Sequence, residues 1–177
     1  MHVDKGRGLL IDFSKAFDSV DHVILINKLK QLNLPDNIFK SVVLFLTERD
    51  QFTKVRDSFT SIIAHSIIQG SGTGPTLFII SIIDLQPIDH SNHMTKYADN
   101  RSLLVPERSD VDICFEFQHI FKWDGDNKLS VNMSKTKGIV FHWQSSRNYL
   151  PPAEIPGIER VRLLGVWLQS DLGTRAR

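Results

Sequence analysis

Two acidic residues, each at the end of a predicted strand, restrict the folds open to this chain. The apolar segment 7–12, RGLLID, is typical of a short buried strand and ends in Asp12. The segment 96–105, KYADNRSLLV, predicts a hairpin in which Asp99 and Asn100 form the turn. If the first strand and the hairpin are neighbours in one sheet, the carboxylates of Asp12 and Asp99 face each other.

Clustered carboxylates of this kind have a limited chemistry. They either shift their pKa values or hold a cation. Hard oxygen ligands suit Mg²⁺, which binds a few carboxylates together with substrate phosphates. Two such ions about 4 Å apart activate one oxygen and stabilise another in phosphoryl transfer. Taken separately, Asp12 and Asp99 are more simply explained as a strand-end acid and a turn acid.

Composition indicates one globular domain in a reducing compartment. The chain has 177 residues, of which 41% are hydrophobic and 23% charged. A single cysteine, Cys114, excludes an internal disulfide framework. The longest apolar stretch, 77–83, is too short to span a bilayer, and the first residues lack a signal-peptide pattern. We therefore expect no membrane partner.

The formal net charge of +1 lacks the basic excess typical of nucleic-acid-binding proteins. Three alternating basic pairs are compatible with a basic strand face, because side chains on a strand repeat every two residues. Solvated charges on exposed strands are the simpler explanation for these pairs. The pairs are Lys54 and Arg56, Lys135 and Lys137, and Arg160 and Arg162.

Apolar spacing and punctuation predict short strands with intervening helices, and hence an α+β fold. Ser19 is the predicted N-cap of the first helix. The predicted inner face of the last helix consists of Ile113, Phe117, Ile120 and Phe121. The predicted helices cover 20–34, 37–48, 75–85 and 109–124, and the further strands cover 51–56, 61–68, 138–143 and 161–168.

Six stretches follow one another in an order typical of one protein family. They are LLIDFSKAFDSVDHVILINKL, FLTERDQFTKV, QGSGTGPTLFIISIIDL, KYADNRSLLV, WDGDNKLSVNMSKTKGIVF and RVRLLGVWLQSDL. In this order they resemble the reverse transcriptase domain of non-long-terminal-repeat (LINE-type) retrotransposons. The resemblance covers about residues 7–172.

The resemblance implies a fold and an activity. The fold is one polymerase palm domain over residues 1–177, an antiparallel sheet backed by helices in a ferredoxin-like arrangement. Because the motifs fill the chain, we expect complete fingers and thumb to be absent. The activity is RNA-directed DNA synthesis with two Mg²⁺ ions, or Mn²⁺ in their place. The implied partners are an RNA template, a DNA primer and deoxynucleoside triphosphates. Family analogy also implies a nuclear location, whereas the oligomeric state stays open.

The same resemblance implies the catalytic centre. Asp12 and Asp99 match the carboxylates that hold both metal ions, and the backbone carbonyl of Phe13 lies beside one ion. Phe17 matches the aromatic residue that disfavours a ribose 2′-hydroxyl, because its ring leaves no room for the extra oxygen. Asn100 takes the catalytic position at which the family has a second aspartate.

Further positions match the nucleotide and primer contacts of the family. Gln69 and Gly70 are expected against the incoming nucleotide and the template base. Lys135 is expected near the leaving pyrophosphate, with Lys137 as a close rival. The segment 164–166 is expected in the hairpin that holds the primer end.

Asn100 is the departure with the clearest consequence. An amide keeps the shape of a carboxylate but loses its negative charge and turns one end into a donor. Losing about 3 kcal/mol of metal-based stabilisation slows the chemistry about 100-fold. The alternative function is therefore a catalytically silent retroelement remnant that acts at most as a nucleic-acid-binding or protein-binding module. An unrelated α+β domain would instead place Asp12 far from Asp99.

Overall fold

The computed structural model describes residues 6–47, 66–68, 70–107, 109–141, 155–163 and 166–170. The predicted strand at 51–56 and the predicted site residue Gln69 lie outside these residues, as do Leu164 and Gly165. No helix within the described residues is long and apolar enough to cross a membrane.

The described residues form ten elements of mixed helix and strand. In chain order they are β1 (Gly6–Ile11), α1 (His22–Lys30), α2 (Asp36–Thr47), α3 (Gly74–Ser81), β2 (His93–Tyr97), β3 (Asn100–Pro106), α4 (Ile113–Asp126), β4 (Lys137–Phe141), β5 (Arg160–Leu163) and β6 (Val166–Gln169). The chain divides into two compact units, one of residues 1–14, 85–125 and 130–177, the other of residues 15–84 and 126–129.

The first unit is built on a four-stranded sheet. Its strand order is β2-β3-β1-β4, and every neighbouring pair is antiparallel. Strand β1 is therefore central, which explains why its sequence is apolar and almost free of charge. Strands β5 and β6 form a separate antiparallel pair.

Alternation along β1 and β3 gives this sheet a buried face. Leu9 pairs with Leu103 and Ile11 pairs with Arg101, so these side chains share one face. All four are 2% exposed or less. Arg101 also lies over the ring of Trp123, which places α4 on this face. Asp12 follows Ile11 and so points to the opposite face.

The second unit contains helices α1, α2 and α3, with α1 contacting both others. Asp21 caps α1 by accepting a hydrogen bond from the backbone N–H of Ile24 at 3.0 Å. The prediction of Ser19 as the N-cap is thus wrong by two residues; its hydroxyl donates to the Lys15 carbonyl instead. Both residue types cap well, so the sequence alone did not separate them.

The glycine-rich stretch opens α3 as predicted, with a proline in its first turn. A Cβ atom on Gly74 would lie 2.8 Å from the Ile68 carbonyl oxygen, so this approach requires glycine. Lys28 of α1 is buried and donates to the Ser81 carbonyl and to Asp84. This lysine joins α1 to the end of α3.

Candidate active site

The pairing of β1 with β3 brings the two predicted acidic sites to one edge of the sheet. Ile11, the last residue of β1, pairs with Arg101, the second residue of β3. Asp12 is the next residue along the first strand, and Asn100 precedes Arg101 on the second. The two strands run antiparallel, so Asp12 and the tip of the β2–β3 hairpin share an edge.

The hairpin turn lies one residue earlier than the sequence predicts. Tyr97 pairs with Asn100, so the two turn residues are Ala98 and Asp99 rather than Asp99 and Asn100. Ala98 adopts a positive φ of 49°, a conformation that hairpin turns usually give to glycine or asparagine. Alanine is a poor turn residue, and this preference misled the prediction. Asn100 is consequently the first residue of β3.

The side-chain amide of Asn100 forms a hydrogen bond with the neighbouring acid, Asp99. Its Nδ2 donates to Oδ1 of Asp99 at 3.2 Å. Where a second carboxylate would repel Asp99 and attract a cation, the amide offers Asp99 a hydrogen-bond donor. One of the two Asp99 oxygens is thereby engaged within the protein.

Asp12 is held by the segment that precedes β4. The backbone N–H of Asn132 donates to the Asp12 carbonyl at 2.8 Å, and Phe13 forms a β-bridge with Val131. The chain then turns back through Lys135 and Thr136, whose N–H groups both donate to the Asn132 carbonyl. This turn brings Nζ of Lys135 to 3.4 Å from Oδ2 of Asp12.

A pocket of about 210 Å³ adjoins Asp12. Asp12 and Asn100 line it from the sheet edge, and residues 161–163 of β5 line it from the other side. The remaining lining residues are Leu10, Ile11, Arg101, Lys135 and Lys137. Asp99 is not among the lining residues that the described chain provides.

Charge in this pocket is predominantly positive. Asp12 is its one carboxylate within the described residues, against the accessible basic side chains of Lys135, Lys137 and Arg162. The fourth basic residue of the lining, Arg101, is only 1% exposed. Lys135 remains 68% exposed, so its ion pair with Asp12 contributes little to stability. The pocket therefore suits an anionic group of a ligand, bound beside the sheet edge that carries Asp12.

A cation that the sequence analysis missed lies beneath this edge. The guanidinium carbon of Arg101 sits 3.3 Å from the centre of the Phe13 ring and 5.8 Å from that of Trp123. Arg101 is only 1% exposed. Burial lowers the pKa of Arg101 to about 9, and the carboxylates of Asp124 and Asp99 oppose this lowering.

Asp124, a buried acid on α4, is one of the two carboxylates whose charges act on Arg101. Burial raises the pKa of Asp124 to about 7, and the positive charge of Arg101 opposes the rise. Neither carboxylate oxygen of Asp124 has a hydrogen-bond partner among the described residues. No spacing in the sequence signals this pair, because the two residues meet only through the packing of β3 against α4.

Two predicted nucleotide contacts belong to the second unit. The ring of Phe17 stacks on that of Phe78, with centroids 4.5 Å apart, and its carbonyl accepts from the Ile67 N–H. Phe17 is half-buried, and its ring packs within this unit. Gly70 is exposed and has a positive φ of 87°.

The oxygen donors at this edge are of the kind that a divalent cation binds. Oδ2 of Asp12 is shielded from solvent and forms no hydrogen bond among the described residues, with Nζ of Lys135 3.4 Å away as its ion-pair partner. Asp99 supplies further carboxylate oxygen at the same edge. The described residues hold no group of three or more histidine, cysteine or acidic side chains, so other ligands would come from substrate and water. Mg²⁺ is ordinarily bound in this way, and the residues fit it in kind.

A family model described as "Reverse transcriptase (RNA-dependent DNA polymerase)" matches residues 5–168. This chain belongs to the reverse transcriptase family. It resembles a probable RNA-directed DNA polymerase from transposon BS of Drosophila melanogaster, with 27% identity over 94% of the chain and 20% of that relative. It also resembles the RNA-directed DNA polymerase from mobile element jockey of the same organism, with 28% identity over 76% of the chain and 16% of that relative.

These relatives confirm the predicted origin, a reverse transcriptase domain of a non-LTR retrotransposon. The chain spans about a fifth of the first relative's length. A telomerase from Candida albicans, solved with a TWJ fragment of telomeric RNA, superposes with a TM-score of 0.52 at 13% identity. That match covers 93% of this chain and 29% of the telomerase chain. It supports an α+β, polymerase-like fold, as predicted.

Proposed function

We propose that this reverse transcriptase domain is a polymerase palm, in which Asp12 and Asp99 hold divalent metal ions for RNA-directed DNA synthesis. The observation that carries the proposal is the register of β1 with β3, in which Ile11 pairs with Arg101. This register supports a shared edge for the two acids that the family motifs single out. Mg²⁺ is the proposed ion, and Mn²⁺ is its substitute.

Each residue near the edge has a proposed role. When bound, the divalent ions activate the attacking 3′-oxygen of a primer and stabilise the leaving oxygen of a deoxynucleoside triphosphate. Asp12 and Asp99 bind them, with the Phe13 carbonyl beside one. Lys135 carries positive charge next to Asp12, where it binds the pyrophosphate that leaves. Residues 161–163 of β5 line the pocket, and the segment 164–166 that follows them in the chain holds the primer end.

The remaining nucleotide contacts are proposed from the motifs. Phe17 excludes a ribose 2′-hydroxyl with its aromatic ring, whose plane is held by stacking on Phe78. Gln69 and Gly70 contact the incoming nucleotide and the template base. A nuclear location and one palm domain over residues 1–177 belong to the same proposal.

Asn100 makes this copy slow. Its amide occupies one oxygen of Asp99 and contributes no negative charge. The cost is about 3 kcal/mol of transition-state stabilisation, or about a 100-fold loss of rate.

Primer extension on an RNA template tests the proposal, with Mg²⁺ and with Mn²⁺. The unaltered chain is compared with Asn100→Asp and with Asp12→Asn, each also inserted between the flanking segments of a jockey-type polymerase. We expect Asn100→Asp to extend the primer about 100-fold faster than the unaltered chain, and Asp12→Asn to be inactive. Equal rates for the unaltered chain and Asp12→Asn in both settings, with Asn100→Asp no faster, would rule out catalysis at this edge.

A second function is favoured by the charge of the pocket. Three basic side chains face one carboxylate there, and they bind phosphate without any metal. A catalytically silent module that binds single-stranded nucleic acid is therefore the alternative. Nucleic-acid binding without primer extension by any variant would favour it.

A further inference from the structure

Arg101 places a fixed positive charge directly below the acidic edge. It is 1% exposed, and it follows the hairpin tip by two residues in the chain. Its guanidinium stacks on Phe13, the residue that follows Asp12. The chain segments that carry Asp12 and Asp99 thus also hold this guanidinium, which lies on the face of the sheet opposite to Asp12.

The charge of this guanidinium is not taken up by hydrogen bonds. Among the described residues, Nε, Nη1 and Nη2 of Arg101 have no acceptor. The two carboxylates whose charges act on it are Asp124 and Asp99. Since Asp124 is itself 2% exposed, this electrostatic pairing takes place away from water, where charges interact strongly over several ångströms.

Aromatic packing fixes the position of this cation. Phe13 and Trp123 lie on the guanidinium at 3.3 Å and 5.8 Å, within the range of cation–π attraction. A buried side chain held in this way does not swing out when another cation arrives. It therefore opposes every divalent ion that binds on the other face of the same edge.

We propose that Arg101 is a resident counter-cation of the acidic edge, which offsets the charge of Asp99 and lowers the affinity of the Asp12–Asp99 site for divalent metal ions. The inference rests on the proposed function, because it assumes that this edge is the metal site. The effect of Arg101 on metal affinity adds to that of Asn100, which lacks the negative charge that an aspartate would carry at this position.

Manganese binding tests the inference without any polymerase activity. Mn²⁺ is titrated into the unaltered chain and into Arg101→Met, and the free ion is measured by electron paramagnetic resonance. Methionine keeps the length of the side chain and packs against Phe13 without charge. We expect Arg101→Met to bind Mn²⁺ about tenfold more tightly than the unaltered chain.

Arg7→Met is the matched control. Arg7 lies on the same strand, is paired with Asp112, and is five positions from Asp12, about 16 Å along an extended chain. That separation exceeds the screening length of about 8 Å at physiological salt. We expect Arg7→Met to change Mn²⁺ affinity less than twofold, although it removes the same net charge.

The double variant Arg101→Met/Asp124→Asn guards against misfolding, since it removes the buried guanidinium together with the buried acid that acts on it. Circular dichroism identifies which of the two variants is folded, and the folded one is used. Affinity within twofold of the unaltered chain in that variant would overturn the role of Arg101 alone. Absence of a Mn²⁺ site in every variant, including Arg101→Met/Asn100→Asp, would overturn the metal site itself and the proposed function with it.

Discussion

Asp124 lies inside the first unit, 2% exposed, and among the described residues neither of its oxygens has a hydrogen-bond donor. Burial raises the pKa of Asp124 to about 7 from its ordinary 3.8, although Arg101 opposes the rise. Between these two values the folded chain keeps a proton on Asp124 that the unfolded chain has lost. Unfolding then releases that proton, so the free energy of unfolding falls as the pH rises through this range.

We expect Asp124→Asn to remove this part of the pH dependence. The slope of the free energy of unfolding against pH, measured between pH 5 and pH 7, should become less negative by up to about 1.4 kcal/mol per pH unit. This is the slope that the release of one proton on unfolding produces. Urea unfolding at several pH values measures it. Asp112→Asn, at the exposed partner of Arg7, is the control and should keep the original slope. Identical slopes for Asp124→Asn and the unaltered chain would contradict the prediction.

Some site residues could be predicted from the sequence and others could not. Asp12 and Asp99 were identified because each follows a local pattern, a strand end and a turn. Arg101 was missed because an arginine at the start of a strand is ordinarily exposed. Its burial depends on Phe13 and Trp123, which are distant from it in the chain and are brought to it by the sheet and α4.

The β2–β3 hairpin is the element that positions Asp99, and its turn carries backbone strain. Ala98 has a φ of 49°, which costs an L-residue about 1–2 kcal/mol. Glycine removes that cost but adds entropy to the unfolded chain, about 0.4–1 kcal/mol. We expect Ala98→Gly to raise the free energy of unfolding by about 0.5 kcal/mol, measured by urea unfolding. Ala98→Val should lower it, and a stabilising valine would show that the turn is unstrained.

Helix α4 is tied to the loop before β2 by one buried acid. Glu116 is 0% exposed and accepts hydrogen bonds from the N–H groups of Ile88 and Asp89 and from Nδ2 of Asn92. Its removal leaves these donors without their acceptor. We expect Glu116→Ala to cost about 3 kcal/mol of unfolding free energy.

Hydrogen exchange separates the loss of these bonds from general destabilisation. The amides of Ile88 and Asp89 should lose more protection in Glu116→Ala than the amides of the central strand β1. Asp126→Ala, at an exposed position near the end of the same helix, is the control and should change stability by less than about 0.5 kcal/mol. Uniform loss of protection across the first unit would contradict a local role for Glu116.

Elements were predicted better than their ends. The helices and the hairpin lie where periodicity and turn residues placed them, because those signals are local. The hairpin turn lies one residue earlier than predicted, because strand pairing fixes Tyr97 opposite Asn100. This pairing places Ala98 in the turn, although alanine is unfavourable there. Phe121 was predicted on the inner face of α4 but is 56% exposed, while Phe117 and Ile120 are buried as predicted. The apolar stripe of the helix is therefore narrower than its sequence indicates.

At the scale of the whole molecule, charge is nearly balanced, with 21 basic and 20 acidic side chains. Binding of a polyanion by this chain therefore depends on where its charges lie and not on their sum. The pocket beside Asp12 gathers Lys135, Lys137 and Arg162. These three cations define the part of the surface at which a nucleic-acid strand should bind.

We expect a single-stranded oligonucleotide to bind this chain weakly, with a plot of log K against log salt of slope about −2. Three cations that neutralise three phosphates give this value, because each releases about 0.7 of a counterion from a single strand. Fluorescence anisotropy at several salt concentrations measures the slope. Chelation of divalent metal by EDTA should leave the affinity unchanged, since lysine and arginine bind phosphate without a metal.

Charge reversal locates the binding site within the molecule. Lys137→Glu/Arg162→Glu should weaken binding at least about tenfold and bring the slope close to zero, because it leaves one cation facing three carboxylates in the pocket. Lys40→Glu/Lys30→Glu changes the net charge by the same amount at exposed positions of α1 and α2 and should leave the slope near −2. Equal losses in both double variants would mean that binding follows net charge, and the pocket would then have no special part in it.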